Sequence, residues 1–159
     1  MNITFEIGLP VLVSVFTSVG VAKWWLGKEK RLYSNIRREV LFVSTENCSV
    51  ATEQDIFKRN GLFMNVQLAP EGESLASLVS EQRLVVLGYS PDSKKFWEVY
   101  DKAAAKGVYV IVYARDHTID HDQLKRIKKY AYHSLATTPL RLMADVFAVM
   151  ATAPNRKDN

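Results

Sequence analysis

The chain has little cysteine, and it lacks the short motifs that mark the best-known nucleotide sites. Cys48 is the single cysteine among 159 residues, so an intramolecular disulfide is excluded and a reducing compartment is expected for the folded part. Neither a Gly-rich dinucleotide fingerprint nor a phosphate-binding loop occurs in the sequence. Internal repeats and low-complexity segments are absent as well. These absences exclude a disulfide scaffold, a repeat array and a P-loop enzyme.

Charge is absent from one long stretch near the amino terminus. Residues 7–22 include no charged side chain over 16 positions, and a lysine and two tryptophans follow. Because Lys23 can extend its ammonium group to the lipid headgroups, the usable apolar length reaches Leu26, which is long enough to span a bilayer. Tryptophan is favoured at the membrane interface. The sequence therefore predicts a transmembrane helix within residues 1–26.

Positive charge follows this apolar run directly. Residues 27–38 form a basic juxtamembrane collar, whereas Glu6 is the only charged side chain before the run. Since positive residues stay on the cytoplasmic side, we expect a single-pass protein of the cell inner membrane with its amino terminus outside. Residues 39–153 then form a cytoplasmic domain, and residues 154–159 form a tail. We attribute the net charge of +4 to the basic residues that fix the orientation in the membrane and to their attraction to anionic lipid. No nucleic-acid partner is expected.

Small residues recur along one face of the predicted span. Ser14, Ser18 and Ala22 follow one another at intervals of four residues, and such a stripe lets helices approach closely. A simple tether needs no such stripe. The lipid bilayer is therefore one expected partner, and a second copy of the chain, in a homo-oligomer, is another.

After residue 38, short apolar runs alternate with segments of helical periodicity. The predicted strands are Glu39–Ser44, Phe63–Leu68, Arg83–Tyr89, Val108–Ala114 and Ala131–Ser134. The predicted helices are Ala51–Asn60, Ser74–Gln82, Ser93–Lys106, Asp122–Tyr130 and Leu140–Ala151. Strands separated by helices of this length predict an α/β domain with a flavodoxin-like or Rossmann-like parallel sheet of order 2-1-3-4-5.

In such a sheet a ligand binds beyond the carboxyl ends of the strands, where the strand order reverses. The loops that meet there are rich in hydroxyl groups, and one brings an arginine. Hydroxyls, helix amino termini and a guanidinium suit a phosphate or a ribose. The alternative is that these serines and threonines serve as turn and cap residues. The predicted ligand-binding residues are Ser44, Thr45, Ser49, Ser90, Ser93, Trp97 and Arg115.

Other chemistries have weaker support in the same loops. His117, Asp120 and His121 lie close together in the sequence, but a polar loop before a helix often has this composition, so no metal is expected. Glu46 is a lone acid after the first strand, whereas a phospho-accepting receiver domain needs an acidic pair there. Cys48 has no obvious histidine partner for nucleophilic chemistry.

Between Leu84 and Tyr113 an apolar strand ends in Ser-Pro, and then come a serine, a tryptophan, an acid four residues later, small residues, a glycine and the next apolar strand. The residues of this pattern are Ser90, Pro91, Ser93, Trp97, Asp101, Ala104, Ala105, Gly107 and the strand residues 108–112. The segment resembles the central part of Toll/interleukin-1 receptor (TIR) domains. The preceding residues Pro70–Leu75 are similar to the family's Pro-Gly-x-Ser-Leu turn.

The resemblance implies three alternative functions. In NAD-cleaving members of the family, a glutamate four residues after the tryptophan acts on the ribose; here Asp101 stands there, one methylene shorter, and Glu98 lies next to Trp97. A membrane-tethered NAD hydrolase using Asp101 or Glu98 is one alternative, and a protein-interaction scaffold is another. Prokaryotic defence systems place such domains on membrane helices. That setting implies a sensor whose domain binds a nucleotide-type signal and drives oligomerisation or membrane disruption by the helix. No cofactor is assigned, and a nucleotide or NAD is the candidate ligand.

Overall fold

The computed structural model describes residues 37–61, 63, 65–70, 75, 78, 79, 82–115 and 117–152, together with residues 21, 23, 25–27 and 29. Within this set, no helix combines the length and the apolar character needed to cross a membrane. The predicted span lies almost entirely outside the set, as do Ser14, Ser18 and Ala22; only its positions 21, 23, 25 and 26 are described, and they are helical. The tail, residues 154–159, also lies outside it.

Five parallel strands form one sheet in the order β2-β1-β3-β4-β5, which confirms the predicted order. The strands are β1 (Glu39–Val43), β2 (Asn65–Leu68), β3 (Leu84–Gly88), β4 (Tyr109–Tyr113) and β5 (His133–Ala136). The helices are α1 (Ala51–Arg59), α2 (Lys94–Lys106), α3 (His121–Lys128) and α4 (Pro139–Thr152). Within the predicted helix Ser74–Gln82, Leu75, Leu78 and Val79 are helical, whereas Gln82 is described and is not helical.

Alternate residues of the central strands supply two hydrophobic cores, one on each face of the sheet. On one face, Phe42 and Val86 pack with α1 and α4. On the other face, Leu41 and Leu87 pack with α2 and α3. Because β3 is buried on both faces, its sequence is apolar throughout rather than alternating.

Both ends of α2 are closed by residues that the sequence pattern indicates. Ser93 accepts a hydrogen bond through Oγ from the backbone N–H of Phe96, at 3.1 Å, and so satisfies one of the free amides of the first turn. Gly107 ends the helix with a φ of 70°, in the left-handed region where glycine has no steric penalty. The first turn of α2 is thereby fixed at the carboxyl edge of the sheet.

The fifth strand lies two residues later than predicted, at His133–Ala136 rather than Ala131–Ser134. The side-chain hydroxyl of Tyr130 donates to the carbonyl of Val108 at 2.7 Å, just before β4 begins. This contact holds the turn after α3 across the start of β4, so pairing in register begins only where His133 lies beside Val110. The prediction was wrong because the contact joins residues that are distant in sequence.

Candidate functional site

The loops that follow β1, β3 and β4 contact one another at the carboxyl edge of the sheet. Nδ2 of Asn47, in the β1 loop, donates to Oγ of Ser90, in the β3 loop, at 3.3 Å. Nε2 of His117, in the β4 loop, lies 3.3 Å from the carbonyl oxygen of Asn47. Asn47 therefore links three loops at the edge where parallel sheets of this order bind ligands.

The β1 loop is a closed turn that covers the end of β3. The backbones of Thr45 and Cys48 exchange two hydrogen bonds, of 3.1 and 3.3 Å. Oγ1 of Thr45 donates to the carbonyl of Gly88 at 3.1 Å, and Sγ of Cys48 lies 3.8 Å from the carbonyl of Tyr113. Both side chains are buried. The β1 loop thus packs on the last residues of β3 and β4 instead of leaving an open crevice between them.

Three of the predicted ligand-binding hydroxyls hold backbone amides. Oγ of Ser44 accepts from the N–H of Val50 at 3.2 Å, and Oγ of Ser49 accepts from the N–H of Ala51 at 3.5 Å. Ser93 caps α2. These contacts give each hydroxyl a turn or cap role in the folded domain. Of the remaining predicted residues, Thr45 and Ser90 are buried within the loop contacts, and Arg115 is half exposed.

Glu46 brings a carboxylate to the first turn of α2. A hydrogen bond from the Ser93 side chain lowers the pKa of Glu46 most, and the backbone of Glu46 itself lowers it further. Slight desolvation opposes this shift, while the charge of Lys95 supports it. A negative charge at a helix amino terminus is electrostatically favourable. The β1 loop is therefore joined to α2 by charge as well as to β3 by hydrogen bonds.

Arg115 belongs to a cluster around a buried acid on α1. Glu53 is 1% exposed, and its Oε1 accepts hydrogen bonds from the hydroxyl of Tyr113, at 3.0 Å, and from Nη1 of Arg115, at 3.2 Å. Burial chiefly raises the pKa of Tyr113, and the hydrogen bond to Glu53 raises it further. The cluster connects the first turn of α1 to the end of β4 at the carboxyl edge.

Arg115 was predicted from the sequence, whereas Glu53 and Tyr113 were missed. One sequence signal was available for Glu53. The buried face of α1 follows positions 50, 53, 54 and 57, and two of these are the polar residues Glu53 and Gln54. A carboxylate on the apolar face of a helix requires a hydrogen-bonding partner, because an unpaired buried charge is costly. The sequence pattern indicates the need for that partner but not its identity.

We expect Arg115→Ala to destabilise the protein by about 1–2 kcal/mol. The Glu53 carboxylate would stay buried with Tyr113 as its donor, and its Oε2 has no hydrogen-bond partner in the described part of the chain. Breaking a fully buried pair costs about 3–5 kcal/mol, and we reduce that figure because Arg115 is 51% exposed. Urea denaturation followed by circular dichroism measures the loss.

The double variant Glu53→Gln, Arg115→Ala tests the cause of that loss. Glutamine removes the buried charge and keeps the size of the side chain, so the double variant should be more stable than Arg115→Ala alone. If the two are equally stable, the cost comes from lost packing of the arginine stem rather than from an uncompensated carboxylate.

Trp97 and Asp101 lie together on the outer surface between α2 and α3. Oδ2 of Asp101 pairs with Nη2 of Arg126 at 2.6 Å, and the guanidinium of Arg126 lies 4.0 Å from the centre of the Trp97 ring. Trp97 is half-buried and packs edge-on against Phe96 and Tyr100. Asp101 and Arg126 are both about half exposed. The three side chains form an ion pair stacked on an aromatic ring, a contact of modest strength at an exposed position.

This surface is separate from the contacts of the three loops. Asp101 is eight residues after Ser93, which corresponds to about 12 Å along the axis of α2, away from the carboxyl edge. Glu98 is exposed on the same helix. The sequence did not indicate that Arg126 would pair with Asp101, because the two are on different helices.

The histidines and acids near the β4 loop have other contacts. Oδ2 of Asp120 accepts from the N–H of Asp122 at 3.2 Å and so caps α3. His117 contacts Asn47 as described above. Across the described residues, no group of three or more His, Cys, Asp or Glu side chains is arranged to hold a metal ion.

No protein-family model matches the chain, and no curated protein matches it.

Proposed function

We propose that the chain is a membrane-anchored sensor or effector whose Rossmann-like domain binds a nucleotide-type ligand at the carboxyl edge of the sheet. The observation that carries the proposal is the meeting of three loops through Asn47, which contacts both Ser90 and His117. Parallel sheets with this strand order bind ligands at this edge. Arg115 adds a half-exposed guanidinium, a group that suits a phosphate.

The ligand would bind over the closed β1 loop. Arg115 would contact a phosphate, while Asn47 and Ser49, both exposed, offer an amide and a hydroxyl for a ribose or a base. Because Asn47 already contacts the β3 and β4 loops, a ligand that engages it would alter the contacts among all three loops. This coupling is the means by which binding would be transmitted to the rest of the domain.

The sequence before the domain supports an output at the membrane. Residues 7–22 are uncharged, and the collar at residues 27–38 is basic, which favours a span in the inner membrane with the domain in the cytoplasm. The stripe of Ser14, Ser18 and Ala22 favours association of the spans. We propose that ligand binding promotes oligomerisation, or disruption of the membrane by the helices, in a prokaryotic defence or signalling system.

A thermal-shift panel of linear and cyclic nucleotides and NAD, run on the full-length protein in detergent, tests ligand binding. A ligand at about one hundred times its Kd stabilises the folded state by about 2.7 kcal/mol, so at least one compound should raise Tm by several degrees. Arg115→Gln should abolish that shift. Arg126→Gln is the matched control, since it removes the same charge from the surface between α2 and α3, and it should keep the shift.

Two outcomes would redirect the proposal. A flat panel with a cooperatively unfolding protein would favour a scaffold that binds a protein partner through this domain. Release of nicotinamide from NAD that stops in Asp101→Asn would favour an NAD hydrolase. In that case the ion pair of Asp101 with Arg126 would have to open before the carboxylate could reach a ribose.

A further inference from the structure

The amino edge of the sheet, where the five strands begin, carries a strongly basic surface. Each of α1, α2 and α3 begins at the carboxyl edge and runs back, so their last turns lie at the amino edge. These last turns contain no aspartate or glutamate. Their exposed cations, with the residue that follows α3, are Lys58, Arg59, Lys106, Lys125, Arg126, Lys128 and Lys129. We call this set the amino-edge surface.

The helix dipole explains only part of this charge. A cation in the last turn of a helix is favoured by the partial negative charge there, and the effect is confined to that turn. The end of α3 has four basic residues within five positions, 125–129. Arg126 is paired with Asp101, but Lys125, Lys128 and Lys129 form no ion pair with any residue that the structure describes. Their charge is therefore uncompensated within the described part of the domain.

The opposite edge has a mixed charge. Exposed acids at the carboxyl edge alternate with cations such as Lys94 and Arg115. These acids are Glu46, Asp92, Asp120 and Asp122. The domain thus has an uneven charge distribution along the strand direction, with net positive charge concentrated where the strands begin.

The chain also enters the domain at the amino edge. β1 begins at Glu39, directly after the collar at residues 27–38. Twelve residues span about 18 Å as a helix and about 40 Å when fully extended. A domain tethered through this collar would hold its amino edge within that distance of the headgroups. Attraction between exposed charges and a membrane extends over about 8–10 Å.

We propose that the amino-edge surface docks on an anionic phospholipid bilayer, with the end of α3 as its main contact. This inference rests on the proposed membrane anchorage. The lysine ammonium groups match the negative charge of the cytoplasmic leaflet. Tyr132, which is 57% exposed in the turn before β5, adds an aromatic side chain suited to the headgroup region. Docking in this orientation leaves the three loops at the carboxyl edge facing away from the bilayer, open to a soluble ligand.

Energy transfer in proteoliposomes tests the docking. The full-length protein with Cys48→Ala and Ala105→Cys carries a donor dye at the amino edge, because Ala105 is exposed in the last turn of α2. The acceptor is a dye-labelled lipid in phosphatidylcholine vesicles with or without phosphatidylserine. At about 0.05 M salt we expect more transfer with phosphatidylserine than without it. At about 0.5 M salt the transfer should fall to the level seen without phosphatidylserine, which is that of a tethered but undocked domain, because salt screens exposed charges.

Paired lysine substitutions locate the contact. Lys128→Gln, Lys129→Gln should reduce the ratio of docked to undocked protein by about 25-fold, which is about fivefold for each lysine near an anionic surface. Lys94→Gln, Lys95→Gln is the matched control, since it removes the same charge at the carboxyl edge, and it should dock normally. Equal losses in the two variants would mean that net charge, rather than the amino-edge surface, causes the attraction, and would overturn the proposal.

Retention of the protein in the vesicles after an alkaline wash tests the anchor separately. If the protein is retained but energy transfer does not change with phosphatidylserine or salt, docking is overturned and the anchor is supported. If the protein is lost on washing but still binds phosphatidylserine vesicles in a way that depends on Lys128 and Lys129, docking is supported and the anchor is overturned. If the protein binds duplex DNA more tightly than the vesicles at equal salt, and this binding also depends on Lys128 and Lys129, the bilayer is not the partner of this surface and the proposal is overturned.

Discussion

Replacing Gly88 with alanine should destabilise the protein by about 3 kcal/mol, near the upper end of the usual cost of overpacking. Gly88 is the last residue of β3, and a Cβ at this position would lie 2.7 Å from the carbonyl oxygen of Cys48 and 3.2 Å from its Sγ. That carbonyl accepts the backbone N–H of Thr45, so the whole β1 loop must move to relieve the clash. Urea denaturation of the full-length protein measures the loss.

The same substitution should expose Cys48 to a thiol reagent. Cys48 is 6% exposed in the folded domain, and displacement of the β1 loop would open a path to its Sγ. Gly107→Ala is the control: it places a side chain at a φ of 70° but meets no atom within 4 Å, so it should cost about 1–2 kcal/mol of backbone strain and leave the thiol protected. Normal stability and a protected thiol in Gly88→Ala would show that the added methyl group is accommodated without displacement of the β1 loop, which would contradict the prediction.

The strand order could be predicted from the sequence because buried parallel strands leave a compositional signal. Residues 84–89 and 108–114 are apolar at successive positions, as central strands covered on both faces must be. Helices between parallel strands form crossovers that are almost always right-handed, which limits the possible topologies. The sheet confirms the resulting order of 2-1-3-4-5.

The edge strand was harder to locate because its position depends on a contact outside its own sequence. β5 pairs with β4 alone, and its residues are only partly buried except for Ala136. Its start is set by Tyr130, whose hydroxyl binds the carbonyl of Val108, 22 residues earlier. Local periodicity contains no information about such a pair.

In the candidate site, too, the position of the loops could be predicted from the sequence, but their contacts could not. Topology alone predicts that the β1, β3 and β4 loops lie at one edge, and the contacts of Asn47 with Ser90 and His117 join all three. The sequence did not predict that Thr45 and Cys48 would close the β1 loop over β3. Thr45 and Gly88 are 43 residues apart, and Glu53 and Arg115 are 62 apart. Which polar groups pair over such separations is decided by three-dimensional packing, which residue types and spacings do not encode.

Tyr100→Phe should destabilise the protein at neutral pH and stabilise it, relative to the wild type, at strongly alkaline pH. Tyr100 is 3% exposed on α2, and its hydroxyl donates to the carbonyl of Ile127 at 2.8 Å. Loss of this hydrogen bond should cost about 1 kcal/mol near pH 7. Burial chiefly raises the pKa of Tyr100 to about 12; Tyr130 and Asp101 act in the same direction, and Arg126 opposes them.

The raised pKa sets the direction of the alkaline effect. Between pH 10 and about 12 the unfolded chain releases the phenol proton while the folded chain retains it, so the wild type loses up to about 2.7 kcal/mol of stability over this range. The phenylalanine variant has no proton to lose at this position. Its free energy of unfolding should therefore exceed that of the wild type above about pH 11, where the alkaline loss passes the value of the missing hydrogen bond.

Denaturation curves at intervals from pH 8 to about pH 11.5 would show whether the two stabilities cross in this range. Val99→Ala is the control, because it removes buried apolar atoms from the neighbouring position on α2 and leaves Tyr100 in place. Its free energy of unfolding should be lower than that of the wild type by a constant amount at every pH. If Tyr100→Phe also stays parallel to the wild type, the phenol of Tyr100 ionises equally in the folded and unfolded chains. The contact between α2 and the end of α3 would then be open to water at the point where Tyr100 meets Ile127.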